Sequence, residues 1–359
     1  MQARLYALVC AGLGAALVSC AAPPPPPPRP PVPAGPPTDT IRIPLTDLGP
    51  KTYYGHAGGL YPGGVNQPPS GHDSAARARR NAIRQLDVNG DEHPFGKYVL
   101  ISIGMSNTTQ EWCSANSAPP CSSWSLMGRA AADFGVNHTS LVIVNGAADG
   151  QHVEDWTSPT SPNYDRIRIS RLNPLGLSEN QVQAAWVKLA TARPVASLPA
   201  DTADAYRFLT MLGQTLRTLK VRYPNLQLVF LSSRTYGGYA TSDLSPEPHA
   251  YESGFSVRLA IESQINEMRG VPANPRAGSL NYTRRSAPLV LWGPYLWADG
   301  PRPRSDGVSW PRSDFEEDGT YPSQAGESKV AAILLEYFKT SPYTRCWFAA
   351  NQYCLTGAQ

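Results

Sequence analysis

The chain has 359 residues, 41% of them hydrophobic and 16% charged, with a formal net charge of +3. That length supports one large domain with a substantial core. The weak charge, with no basic stripe interleaved with aromatics, argues against a nucleic-acid-binding protein, while 36 prolines and 30 glycines imply many ordered loops.

The first residues carry Arg4, an apolar run from Leu5 to Val18, and then Leu17-Val18-Ser19-Cys20. A basic start, a short apolar core and small residues before the break describe an export signal over 1–19. The run is too short to span a bilayer comfortably. Leu-Val-Ser-Cys resembles a bacterial lipobox, which implies a lipid anchor on Cys20; the alternative is a plain signal peptide with a chance cysteine. Residues 20–40 are dominated by proline, which locks φ and favours extended polyproline II, so they read as a semi-rigid spacer. The expected location is an exported lipoprotein held at a membrane, periplasmic or on the cell surface. Cys10 leaves with the leader. Cys113, Cys121, Cys346 and Cys354 remain, and two short-loop disulfides are the default in an oxidising compartment, although four cysteines allow three pairings.

Residues 41–95 are rich in Gly, Pro and Tyr and read as an irregular extension packed on the domain, with a helix over Ser74–Leu86. Asp87-Val88-Asn89-Gly90-Asp91 resembles the start of a calcium loop but lacks the glycine placement and distal glutamate of an EF-hand; a turn is favoured, and no metal is expected. Strands and helices then alternate. Strands are expected at Tyr98–Ile103, Thr139–Val144, Leu226–Leu231 and Leu289–Trp292. Helices are expected at Ser123–Phe134, Ser178–Thr191, Asp201–Arg222, Tyr251–Met268 and Ser323–Phe338. Continuous apolar strands separated by helices predict an α/β fold, a three-layer α/β/α sandwich around a parallel sheet with right-handed crossovers. Residues 96–345 would form this domain and 346–359 a disulfide-closed tail.

In such a sheet, ligands bind beyond the carboxyl ends of the strands. Val99-Leu-Ile-Ser-Ile-Gly-Met-Ser-Asn107 ends a strand in a tight turn that would project the Ser106 hydroxyl, with Asn107 beside it as a substrate contact. After the second strand comes Asn145-Gly-Ala-Ala-Asp-Gly150-Gln-His152, where glycine lets a backbone N–H approach an oxyanion closely. Arg234 follows the third strand, to bind an anionic substrate group or pair with Glu252. Trp292 and Trp297 follow the fourth and would offer ring faces to sugars. Near the carboxyl end stands Asp318-Gly319-Thr320-Tyr321-Pro322-Ser323, followed by Gly326.

A strand ending in Gly-x-Ser-Asn, a glycine loop ending at Trp156, and Asp-Gly-x-x-Pro-Ser-x-x-Gly before the last helix resemble the SGNH/GDSL hydrolases over roughly 97–338, in particular their carbohydrate O-acetylesterase branch. The resemblance implies Ser106 as nucleophile, the N–H groups of Ser106 and Gly150 in an oxyanion hole, and Asp318 orienting a base. The family's third block supplies an Asn or Gln to that hole; the matching stretch, Ala185-Trp186-Val187-Lys188, has Lys188 there. No cofactor is implied.

The chain departs from the family at the base. Tyr321 stands where the family has histidine. Histidine suits proton transfer near neutrality, whereas a phenol titrates near about 10 and accepts a proton poorly. His152 is the first candidate for a substitute base, His249 the second, with His56 behind them. The sequence therefore points to an exported serine esterase or deacetylase acting on ester groups of a small molecule or glycan. The alternative is a catalytically impaired surface lipoprotein of the same fold that binds a glycan or a protein. The oligomeric state is left open.

Overall fold

The structure is a computed structural model and describes residues 38–354. The expected leader, Cys20, and all but the last three residues of the proline-rich spacer lie outside the described residues. Five strands form the central sheet: β1 (Tyr98–Gly104), β2 (Leu141–Asn145), β3 (Val182–Lys188), β4 (Leu228–Ser232) and β5 (Leu289–Trp292). They lie in the order β2-β1-β3-β4-β5 and every pair is parallel.

Side chains alternate across a strand, and here both faces are covered. Ile101, Val187, Val229 and Val290 join one core; Leu100, Trp186, Phe230 and Leu291 join the other. The principal helices are α1 (Ser70–Asn81), α2 (Ser106–Trp112), α3 (Leu126–Ala132), α4 (Asp204–Arg222), α5 (His249–Met268) and α6 (Gln324–Thr340). The buried stripe Phe208, Leu209, Leu212, Leu216 and Leu219 puts α4 in the first core with α5. Each such side chain stabilises the fold by about 1.5–3 kcal/mol through area burial. Helices α2, α3 and α6 cover the second core. Ser323 caps α6, its hydroxyl accepting the Gly326 N–H at 3.4 Å. The fold is thus the expected three-layer α/β/α sandwich.

The sheet has five strands, not the four expected, because residues 178–191 are not a helix. Ser178 and Gln181 do form a reciprocal cap, but it opens only a single 3-10 turn over Glu179–Gln181. The chain then enters β3, the middle strand, and all seven of its residues are buried. Its polar residues each find a partner. Gln183 exchanges hydrogen bonds with the backbone of Arg84 at 2.8 and 2.6 Å, and Lys188 pairs with Glu111.

The amino-terminal extension is less irregular than expected, since α1 begins at Ser70 rather than Ser74 and two short strands pair at Thr52–Tyr53 and His56–Ala57. Residues 87–91 make a turn in which Asp87 Oδ1 accepts the Asn89 and Asp91 amides at 2.9 and 3.1 Å. Cys113 is bonded to Cys121 and Cys346 to Cys354. Among the described residues, no helix is long and apolar enough to cross a membrane.

Candidate active site

The carboxyl edge of the sheet is where Ser106 emerges. Gly104, the last residue of β1, pairs with Lys188 of β3. A Cβ there would meet Thr108 Oγ1 at 2.4 Å and the Lys188 carbonyl at 2.5 Å, so only glycine lets the chain leave the strand and start a helix two residues later. Ser106 is the first residue of α2 and is half-buried, with its Oγ 3.5 Å from Asn107 Oδ1.

Asn107 is a structural clamp, which corrects its expected role as a substrate contact. It is buried. Its Nδ2 donates to the Thr320 carbonyl at 2.8 Å, and its Oδ1 accepts from Arg234 Nη1 at 3.5 Å. The clamp brings the 318–321 loop against the start of α2. That loop organises itself: Asp318 Oδ1 accepts the amides of Thr320 and Tyr321 at 3.0 and 3.1 Å, and the Asp318 carbonyl accepts the Thr241 amide at 2.9 Å. Gly319 sits at φ +67°, and a Cβ on it would lie 1.9 Å from the Tyr239 carbonyl oxygen. Both left-handed backbone and lack of room require glycine. Tyr321 is half-buried, and its carbonyl accepts the Glu316 amide at 2.9 Å.

Three cations or anions lie beneath this surface. Arg234 is buried; desolvation pushes its guanidinium pKa down, while the negative charges of Glu111 and Glu247 oppose that shift. Its expected pairing with Glu252 does not form, because Glu252 accepts from the Tyr53 hydroxyl and the Leu198 amide instead. Lys188 does not reach the oxyanion position expected of it. It is fully buried and ion-paired with Glu111 on the inner side of α2. Burial pushes the Glu111 carboxyl up and the Lys188 ammonium down, and their mutual attraction opposes both shifts.

On the neighbouring loop, the amides of Gly146 and Ala147 donate to Ser102 Oγ at 3.2 and 3.4 Å, and that of Ala148 to the Gly104 carbonyl at 3.3 Å. These bonds pin the loop beside the end of β1. Gly150 follows at φ +69° on an exposed stretch. His152 is half-buried, and its amide donates to Asp155 Oδ2 at 2.8 Å. His249 opens α5 in a small cavity with Asp204, Ser245 and Ser253. Burial lowers its pKa, and its Nδ1 is enclosed without a partner. His56 bonds the Tyr206 hydroxyl at 2.8 Å. Among the described residues, no histidine is a hydrogen-bond partner of Ser106.

Trp292 and Trp297 are turned inward, which corrects their expected role as sugar platforms. Their indole N–H groups donate to the Leu60 carbonyl at 2.6 Å and to Glu247 Oε1 at 2.7 Å, and both rings are buried. The half-buried rings of Tyr236 and Tyr239 pack edge-on at 5.0 Å beside Gly300. Two acids escaped the sequence reading: Glu111, and Glu327 on α6, which accepts from Trp124 Nε1 at 2.5 Å and which burial pushes up to about 7. Glu111 stands one helical turn beyond Asn107, the only local hint that it faces inward. Among the described residues, no group of three His, Cys, Asp or Glu side chains could hold a metal ion.

The chain is similar in structure to an extracellular lipase from Streptomyces rimosus, at 13% identity and a TM-score of 0.30, covering 67% of this chain and 99% of that one. It is similar to a carbohydrate esterase family 2 enzyme with a carbohydrate-binding domain from Corynascus thermopiles, at 14% identity and a TM-score of 0.34, covering 68% and 67%. A phospholipase A1 from Streptomyces albidoflavus is similar at 10% identity and a TM-score of 0.29, covering 67% and 99%. No protein-family model matches the sequence, and no curated protein matches it.

Proposed function

We propose that the chain is an exported serine ester hydrolase of the SGNH/GDSL type, acting on ester groups, by preference O-acetyl groups of a glycan. The observation that carries this is the Asn107–Thr320 hydrogen bond, which joins the turn bearing Ser106 to the loop bearing Asp318 across 213 residues of sequence. A hydroxyl at the start of a helix, backbone amides beside it and a carboxylate loop against it are the parts of an acyl-transfer site.

In this reading Ser106 Oγ attacks the ester carbonyl carbon, and the C–O bond to the alcohol breaks as that alcohol takes up a proton. Water then releases the acyl group from Ser106. The amides of Ser106 and Gly150 receive the developing oxyanion. The proton acceptor is the weak point. Tyr321 occupies the histidine's place in the family pattern, and loss of a triad base costs several orders of magnitude in rate. His152, on the loop pinned beside β1, is the first candidate to take that part, ahead of His249. The two disulfides fit an oxidising compartment outside the cytosol, and a lipid on Cys20 would hold the domain at a membrane.

A second reading, a glycan- or protein-binding module with lost hydrolysis, is favoured by one observation: Asp318 Oδ1 already accepts two amides of its own loop. Hydrolysis of p-nitrophenyl acetate by the intact chain separates the two. Activity abolished by Ser106→Ala and reduced by His152→Ala supports the enzyme. A gain of a hundredfold or more in Tyr321→His identifies the missing imidazole as the defect. Activity that survives Ser106→Ala removes the proposed nucleophile, and inactivity of every form supports the binding module. Incorporation of labelled fatty acid, lost in Cys20→Ser, tests the anchor.

A further inference from the structure

The opposite edge of the sheet carries a concentration of positive charge unrelated to Ser106. Where the chain enters β4 and β5, a small solvent-open concavity is lined by Arg79 of α1, Lys220 near the end of α4 and Arg285, together with Asn225, Gln227 and Tyr282. Among the described residues, no carboxylate lines it. Among the described residues, none of the three cations is in a salt bridge.

Their donors are only partly used. Lys220 Nζ donates to the carbonyls of Pro224 and Leu226, each at 2.8 Å, leaving one of its three ammonium protons. Arg79 makes a long 3.4 Å bond to Gln227 Oε1 and lies over the Tyr282 ring at 5.3 Å. Arg285 is exposed and held at φ +59° by the turn in which its amide donates to the Tyr282 carbonyl at 3.2 Å and the Ser286 amide to the Asn281 carbonyl at 2.9 Å. A left-handed arginine is an uncommon conformation, and such strain gathers at functional positions. Burial, then Arg285 and Arg79, push the Lys220 ammonium down to about 8, with no acid opposing them. Capping the end of α4 accounts for Lys220 alone; it does not account for two arginines brought to the same hollow.

We propose that this hollow binds a compact tetrahedral oxyanion, phosphate or sulfate, free or as the terminal monoester of a small polyol. Three convergent cations match a dianion better than a single carboxylate, and guanidinium forks fit tetrahedral oxygens. The site stands whether or not Ser106 is a nucleophile.

Calorimetric titration of the intact chain with inorganic phosphate tests it, at pH 7 and constant ionic strength balanced with sodium chloride. Saturable one-to-one binding is expected, weakened at least tenfold in Arg79→Gln/Arg285→Gln. That variant should melt no lower than the parent without phosphate, because it relieves repulsion, so its loss of binding is not a loss of fold. Glycerol 1-phosphate binding more tightly than phosphate supports the monoester form, and weaker binding supports the free ion. Equal phosphate affinity in parent and double variant, or no saturable heat up to tens of millimolar, overturns the proposal.

Discussion

The Lys188–Glu111 pair makes the sharpest test of how the serine turn is held. Both groups are fully buried beneath α2, and Arg234 also lies within electrostatic reach of Glu111. Glu111→Gln leaves two buried cations facing each other with no anion between them. Breaking a buried pair from one side costs about 3–5 kcal/mol, and the second cation places this variant at the upper end. Lys188→Met leaves Glu111 with Arg234 still near, and burial already favours its neutral form, so the cost falls to about 3 kcal/mol. Glu111→Leu/Lys188→Met removes both charges of the pair, and apolar replacement of a buried pair is often neutral or stabilising; Arg234 loses Glu111 but keeps Glu247, so the double variant should be less destabilised than Glu111→Gln. Urea unfolding at pH 7 measures all three; with a slope of about 3 kcal/mol per molar, the single variants shift their midpoints by roughly 1 M or more. The reasoning fails if either single change costs less than about 1 kcal/mol, as an exposed pair would, or if Lys188→Met proves more damaging than Glu111→Gln.

Glu252 gives a pH test. Burial raises it from the ordinary 4.5 to about 7, so the folded state binds its proton more tightly than the unfolded chain. Its contribution to stability is complete below about pH 4.5 and is lost as pH rises through about 7. Glu252→Gln, whose amide oxygen can still accept from Tyr53 and Leu198, should melt like the parent at pH 4.5 and be more stable by roughly 2–3 kcal/mol at pH 8; no difference between the two pH values refutes this. Gly319→Ala should destabilise by more than about 1 kcal/mol and expose the 318–321 loop to limited proteolysis, since its Cβ would run into the Tyr239 carbonyl. Cys113→Ser/Cys121→Ser opens a loop of eight residues' separation, and the chain-entropy estimate for such a loop is about 2.5 kcal/mol, to be read from the urea midpoint in the parent's absence of reductant.

Strands such as β1 and β5 are plain in the sequence because Leu289–Trp292 is wholly apolar and only the small Ser102 interrupts Val99–Ile103. Strand β3 is hidden because Gln183 and Lys188 break the apolar run, and Ser178 with Gln181 writes a helix start that stops after one turn. Those polar residues are tolerated only because Arg84 and Glu111, far off in sequence, satisfy them, and no local window carries that information. The same limit applies at the site. Ser106 and the Asp318 loop stand out by motif, but the bond that unites them ends on a backbone carbonyl, which has no residue type to read. Trp292 and Trp297 look like platforms in a loop after a strand; only the positions of Leu60 and Glu247 show that their polar edges are claimed inside. Tyr321 was visible from the start as an odd residue, because its place is fixed by the neighbouring Pro322, Ser323 and Gly326.

The Asn107–Thr320 bond also sets a timetable. A growing or threading chain exposes Ser106 long before residue 320 exists to meet it, so every shorter intermediate carries half a cleft. A molecule cut between residues 107 and 320 would keep its serine yet have nothing to clasp. Whatever chemistry the cleft performs therefore begins only after the segment around residue 320 has docked.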